Sequence, residues 1–153
     1  MAVIDESVVM KITREDLRAF LRSTDNQTMW QSNLIELTKL DDGDPQLGTK
    51  YRGVVKVAGR KVEWTAEIVE WDDLAFYTLK TIEASIGFEM RYTFDEVPGG
   101  TKVTVHQEIA PFGGFFGKLA DPVVTRMYAR DVKANLGKLK DVMESGLWQS
   151  TKP

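Results

Sequence analysis

Few residues of this chain could carry out acid–base or covalent chemistry, and the inventory excludes more than it offers. Cysteine is absent and His106 is the single histidine. That rules out a thiolate zinc site, an iron–sulfur cluster, a disulfide framework and a cysteine nucleophile. A three-histidine metal site is excluded too, and a Ser-His-Asp triad could run only through His106. His106 alternates with Lys102, Thr104 and Glu108, which suits an exposed rung of a cross-strand ladder as well as a general base. The carboxylate pairs Asp41/Asp42 and Asp72/Asp73 fall in turns, where Asp bonds its local backbone. Asp41, Asp42 and Asp44 around Gly43 echo a calcium loop but lack its terminal Glu. No metal and no cofactor is expected.

What remains is a set of phenols, carboxylates and amides. Tyr51, Tyr92, Asp131 and Glu36 are the candidates for acid or base work, should a reaction take place. Gln107 falls between Val105 and Ile109 on the apolar row of a strand, and Asn135 lies within the apolar stripe of a helix. A buried amide without a partner costs roughly 1–3 kcal/mol, so each needs a protein group, a water or a ligand.

These residues need elements to hold them. Ile4 to Ile12 reads as a strand, with Ile4, Val8, Met10 and Ile12 on one face. Thr13, three residues before Asp16, opens a short helix whose apolar side is Leu17, Phe20 and Leu21. Six further strands follow, each bounded by turn residues: Leu34 to Leu40, Tyr51 to Val57, Val62 to Val69, Leu74 to Thr81, Ile86 to Val97 and Thr101 to Ile109. Alternation is clear: Phe88, Met90, Tyr92 and Phe94 oppose Gly87, Glu89, Arg91 and Thr93. Asp121-Pro122 starts a final helix and Ser145-Gly146 stops it, for about 24 residues or roughly 36 Å. Its stripe is Val124, Tyr128, Val132, Leu136, Leu139, Val142 and Met143. Gly137, off that stripe, is a local weak point. The class is α+β: a seven-stranded curved antiparallel sheet gripping a long C-terminal helix, with short helices after the first strand.

One helix about 10 Å wide cannot cover seven strands. Tyr51, Trp64, Phe88, Met90, Tyr92, Gln107, Met127, Asp131 and Asn135 are therefore the expected lining of a cavity between sheet and helix. Phe112, Phe115 and Phe116, set among Gly113, Gly114 and Gly117, read as its lid, as a pin for the loop, or as an interface. An ordinary dense core explains the aromatics equally simply. Of the tryptophans, Trp64 is expected on the cavity wall, Trp30 at the helix–sheet junction, Trp71 at a strand end and Trp148 in an exposed tail.

A length of 153 residues suits one domain, residues 1–153, and 20 basic against 23 acidic residues leave a net charge of −3. The basic residues are scattered, so no nucleic-acid partner is expected. No apolar run approaches the roughly 20 residues of a membrane span, and the acidic start lacks a signal sequence. A cytoplasmic protein, monomer or homodimer, is the expectation.

Several stretches carry a family resemblance: Trp30, Gly48-Thr49, and Glu70-Trp71-Asp72-Asp73-Leu74-Ala75-Phe76. Tyr92-Thr93-Phe94 followed by Gly99-Gly100-Thr101-Lys102-Val103-Thr104, and Leu136-Gly137-Lys138-Leu139-Lys140, complete them. With the element order, these resemble the START-like, helix-grip (SRPBCC) superfamily, in its polyketide cyclase/dehydrase and lipid-transport branch. Asp72-Asp73 departs from the proline common there. The resemblance implies binding of a hydrophobic, ring-containing small molecule or lipid, with polyketide cyclase/dehydratase chemistry or protein-interaction regulation as alternatives. It supplies no catalytic signature.

Overall fold

Alternating apolar and polar residues in the chain's middle make a sheet with one dry face, and the last helix has one stripe to bury against it. The computed structural model describes residues 2–57, 59–84, 86–111 and 122–151. In chain order these form β1 (Ala2–Met10), α1 (Arg14–Leu21), α2 (Thr24–Gln27), β2 (Leu34–Lys39) and β3 (Lys50–Val57). Then come β4 (Arg60–Asp72), β5 (Phe76–Ala84), β6 (Ile86–Val97), β7 (Gly100–Pro111) and α3 (Pro122–Ser145), closed by a 3-10 turn (Leu147–Thr151). The strands lie in the order β1-β7-β6-β5-β4-β3-β2 and every pair is antiparallel. β1 and β2 occupy opposite edges of this curved sheet, so α1 and α2 carry the chain across its width. The architecture is the α+β helix grip expected from the sequence.

Local chemistry sets the boundaries. Thr13 caps α1 by accepting the Asp16 N–H at 3.2 Å. At its other end Asn26 Nδ2 and Gln27 Nε2 donate to the Phe20 and Leu21 carbonyls at 2.8 and 2.6 Å, satisfying groups the last turn leaves open. α2 occupies part of what read as a polar stretch. β1 ends at Met10, two residues before the expected Ile12, because the Ile12 N–H turns back onto the Met10 carbonyl. Gly100 packs there directly against that carbonyl, where a Cβ would collide with backbone. β4 outlasts its expected end at Val69, since the register shift at Ile68/Glu70 breaks its alternation without ending its pairing. β5 starts late, at Phe76, because the Asp72 carboxylate accepts the Leu74 and Ala75 N–H groups and holds them in a turn.

The main core gathers Met10, Phe94, Val103 and Val105 from the sheet, Leu17, Phe20 and Leu21 from α1, and Leu136, Leu139, Val142 and Met143 from α3. Trp30 joins it at the junction of helices and sheet. Trp148 joins it as well, only 6% exposed, which corrects the expectation of an exposed tail. Gly146, at φ +82°, reverses the chain after α3 and the 3-10 turn buries the indole. The N-terminal half of α3 packs less fully: Val124, Tyr128 and Val132 are half-buried.

His106 lies on the outer face, paired with Asp5 of β1 at 2.6 Å, and that bond raises its pKa. It is a rung of a polar ladder, remote from the dry face. Gly137 meets nothing within 4 Å of a would-be Cβ and has ordinary helical φ. Gly137→Ala should therefore stabilise the fold by roughly 0.5–1 kcal/mol, read as a rise in melting temperature of about 1–4 °C. Among the described residues no helix is long and apolar enough to cross a membrane.

Candidate functional site

The half-packed end of α3 leaves a cavity against the inward rows of β3 to β7. Its volume is about 140 Å³, about ten times the roughly 10–15 Å³ that admits one water. Trp64 and Phe88 meet edge to face, with centroids 5.3 Å apart and planes at 88°. Tyr77 stacks on Tyr92 at 5.0 Å, and Trp71 tilts over Tyr77 at 5.9 Å. Gly53, the register partner of Trp64, leaves the indole room to lie over its backbone; a Cβ there would strike the ring.

Of the expected lining, Tyr51, Trp64, Phe88, Met90, Tyr92, Gln107 and Asn135 do border this space. The two amides differ in how they are used. Asn135 Oδ1 accepts the N–H and hydroxyl of Ser32, both at 3.1 Å, and Nδ2 donates to Asn33 Oδ1 at 2.9 Å. It clasps α3 to the segment entering β2. Gln107, 4% exposed, accepts the Tyr128 hydroxyl at 3.1 Å, and its amide nitrogen has no partner among the described residues.

Three expected residues lie elsewhere. Met127 is 54% exposed and Asp131 is also exposed; both border an adjoining pocket with Lys56 and Gly59, which meets the cavity at Asn33, Val57 and Tyr128. At this end of α3 the edge of the stripe, Met127 and Asp131, faces outward. Glu36 is exposed because the register shift between Leu34 and Glu36 turns it away, leaving Leu34 and Leu37 to border the cavity. Phe112, Phe115 and Phe116 fall outside the described residues, as does Asp121 before α3.

Among the cavity residues that went unseen in the sequence are Trp71, Tyr77 and Arg18. Trp71 and Tyr77 stand opposite each other where β4 turns into β5, beyond the bulges that obscure the period. Arg18 is 2% exposed in the middle of α1's packed side. Its guanidinium lies 4.7–4.8 Å from the ring centres of Trp71, Tyr77 and Phe94. Nε donates to the Asp73 carbonyl at 2.8 Å and Nη2 to the Asp72 carbonyl at 3.3 Å. The signal available was position: Arg18 adjoins Leu17 and precedes Leu21 by three, on the same helical side.

The sequence matches the family described as "Polyketide cyclase / dehydrase and lipid transport" over residues 1–144. The chain belongs to that family. No curated protein sequence matches this cyclase/dehydrase-family chain. Solved structures with the same fold include TTHA0849 from Thermus thermophilus, with TM-score 0.80 at 18% identity, covering 94% of this chain and 98% of that one. The ZhuI aromatase/cyclase from a Streptomyces species gives 0.76 at 15% identity, covering 95% and 94%. A START superfamily protein from Mycobacterium smegmatis gives 0.73 at 14% identity, covering 95% and 99%. At these identities the likeness is one of fold.

Within this family member's cavity the available chemistry is that of neutral donors and two cations, Arg18 and, at the margin, Arg22. Burial pushes the Tyr51 phenol up to about 12 and raises Tyr77, Tyr92 and Tyr128 as well, so all four stay protonated near neutrality. The hydroxyls of Tyr51, Tyr77 and Tyr92 have no partner among the described residues. No carboxylate borders the cavity among those residues, and no cluster of His, Asp or Glu could hold a metal there.

Proposed function

We propose that the protein, acting as a single helix-grip domain, binds a hydrophobic, ring-containing small molecule between the sheet and α3. The observation that carries this reading is the cavity itself: aromatic walls punctuated by a few polar groups without partners among the described residues, the make-up of a small-molecule site. Membership of the cyclase/dehydrase and lipid-transport family supports it. The volume favours a compact ring system over a diacyl lipid. Binding is favoured over cyclase- or dehydratase-type turnover, because a proton-abstracting base within reach of the ligand is missing from the described lining. Should turnover occur, Tyr51 and Tyr92 are the residues placed to donate hydrogen bonds to a reacting oxygen.

The test uses N-phenyl-1-naphthylamine, an uncharged fluorophore that joins a naphthyl and a phenyl group. Titrating it into the protein should give saturable, blue-shifted emission with one site per chain and a dissociation constant in the micromolar range, near −8 kcal/mol. A non-saturable signal, or none, overturns the reading.

A further inference from the structure

The geometry points to an anion subsite on the α1 side of this cavity, built on Arg18 and completed by the hydroxyls of Tyr51 and Tyr77, which selects a ring-bearing carboxylate over its neutral analogues. This rests on the cavity reading and specifies which molecules it admits.

A guanidinium removed from water ordinarily sits against a carboxylate, because desolvating a cation is costly unless a counter-charge offsets it. Arg18 departs from that pattern. Among the described residues no carboxylate oxygen comes within 4.0 Å of it; its neighbours are two backbone carbonyls and three aromatic rings. The Asp72 and Asp73 carboxylates beside it are turned to other work, Asp72 holding the Leu74 and Ala75 N–H groups and Asp73 the Trp71 indole N–H. The aromatic faces hold a cation but do not neutralise it.

The arrangement leaves donors to spare. A guanidinium carries five N–H groups; Nε and Nη2 are anchored by carbonyls, and Nη1 has no partner among the described residues. The anchoring fixes the plane of the fork, and Arg18 is one of the residues that border the cavity. Tyr77 lies under the guanidinium at 4.8 Å and Tyr51 borders the same space, each with an unpartnered hydroxyl. Arg22, one turn on along α1, adds a second positive charge at the cavity margin. Donors of this kind suit an acceptor-only group, and no acid in the described lining competes for them. A carboxylate oxygen is the matching chemistry.

The experiment compares 2-naphthoate with 2-naphthamide, equal in ring and nearly equal in shape, as competitors of N-phenyl-1-naphthylamine at neutral pH and low salt. The acid should bind at least tenfold more tightly than the amide. Arg18→Gln should bring that ratio close to one, and Arg18→Lys should restore part of it. Should Arg18→Gln fail to fold, Tyr51→Phe replaces it and should lower the ratio about threefold. Equal affinities for acid and amide in the unaltered protein overturn the subsite while leaving the cavity reading intact. A ratio that survives in the folded variant overturns it as well. Failure of the fluorophore itself to bind counts instead against the cavity reading.

Discussion

Leu79→Trp should abolish binding of the neutral fluorophore while leaving the protein folded. Leu79 is half-buried in β5 and borders the cavity near Tyr77, and its register partner is Ile68 on β4. Adding an indole to a filled core forces strain of about 1–3 kcal/mol. Here the added ring has a void to enter, so the unfolding midpoint should move by less than about 1 kcal/mol in either direction. Ring and ligand then compete for the same space. Affinity should fall at least tenfold, about 1.4 kcal/mol or more. Equilibrium denaturation beside fluorescence titration separates the two effects. Retained affinity would mean that the probe binds elsewhere; a collapse of stability would mean that the space is not there to be filled.

Phe94→Ala should act in the opposite sense, on the fold first. Phe94 is 0% exposed, stacks on Tyr77 at 6.0 Å, and offers its face to the Arg18 guanidinium. Truncating a fully buried phenylalanine costs about 3–5 kcal/mol through lost transfer energy and the cavity left behind. Against a typical total of about 5–15 kcal/mol this is severe. Arg18 would also lose one of the three rings enclosing it. The expected result is a large drop in the urea midpoint with an unchanged slope, since the unfolded surface is the same. A loss below about 1.5 kcal/mol would contradict the packing described for this region.

The sequence discloses the frame of this molecule because period-two alternation survives wherever a strand is straight. Val62, Trp64, Ala66 and Ile68 point inward as their spacing requires, and so do Val103, Val105, Gln107 and Ile109. α3 is legible for another reason: a proline at its start and a positive-φ glycine after its end bracket one apolar stripe. What was hidden depends on long-range encounters. One bulge in β4 and one in β5 place Trp71 opposite Tyr77, and a local period carries no trace of that. Arg18 reads as solvated until the Asp72-Asp73 turn, more than fifty residues away, lends it two carbonyls. Asp131 and Asn135 lie on nearby angles of one helical wheel, yet only Asn135 has Ser32 and Asn33 across from it. A wheel gives direction around a helix, not what stands opposite.

The edge-to-edge placement of β1 and β2 bears on how the chain reaches its native state. β1 pairs with β7, Ala2 against Ile109 and Met10 against Thr101, so the strand made early waits for one made late. Loop closure on that scale is entropically slow and raises the mean sequence separation of contacts. Refolding should therefore be a slow event for a domain of this size. On the ribosome the meander from β2 to β6 can pair neighbour by neighbour while β1 stays an unpartnered apolar strand. Its alternating Asp5 and Ser7 then act as guards, keeping that edge from pairing with another nascent copy.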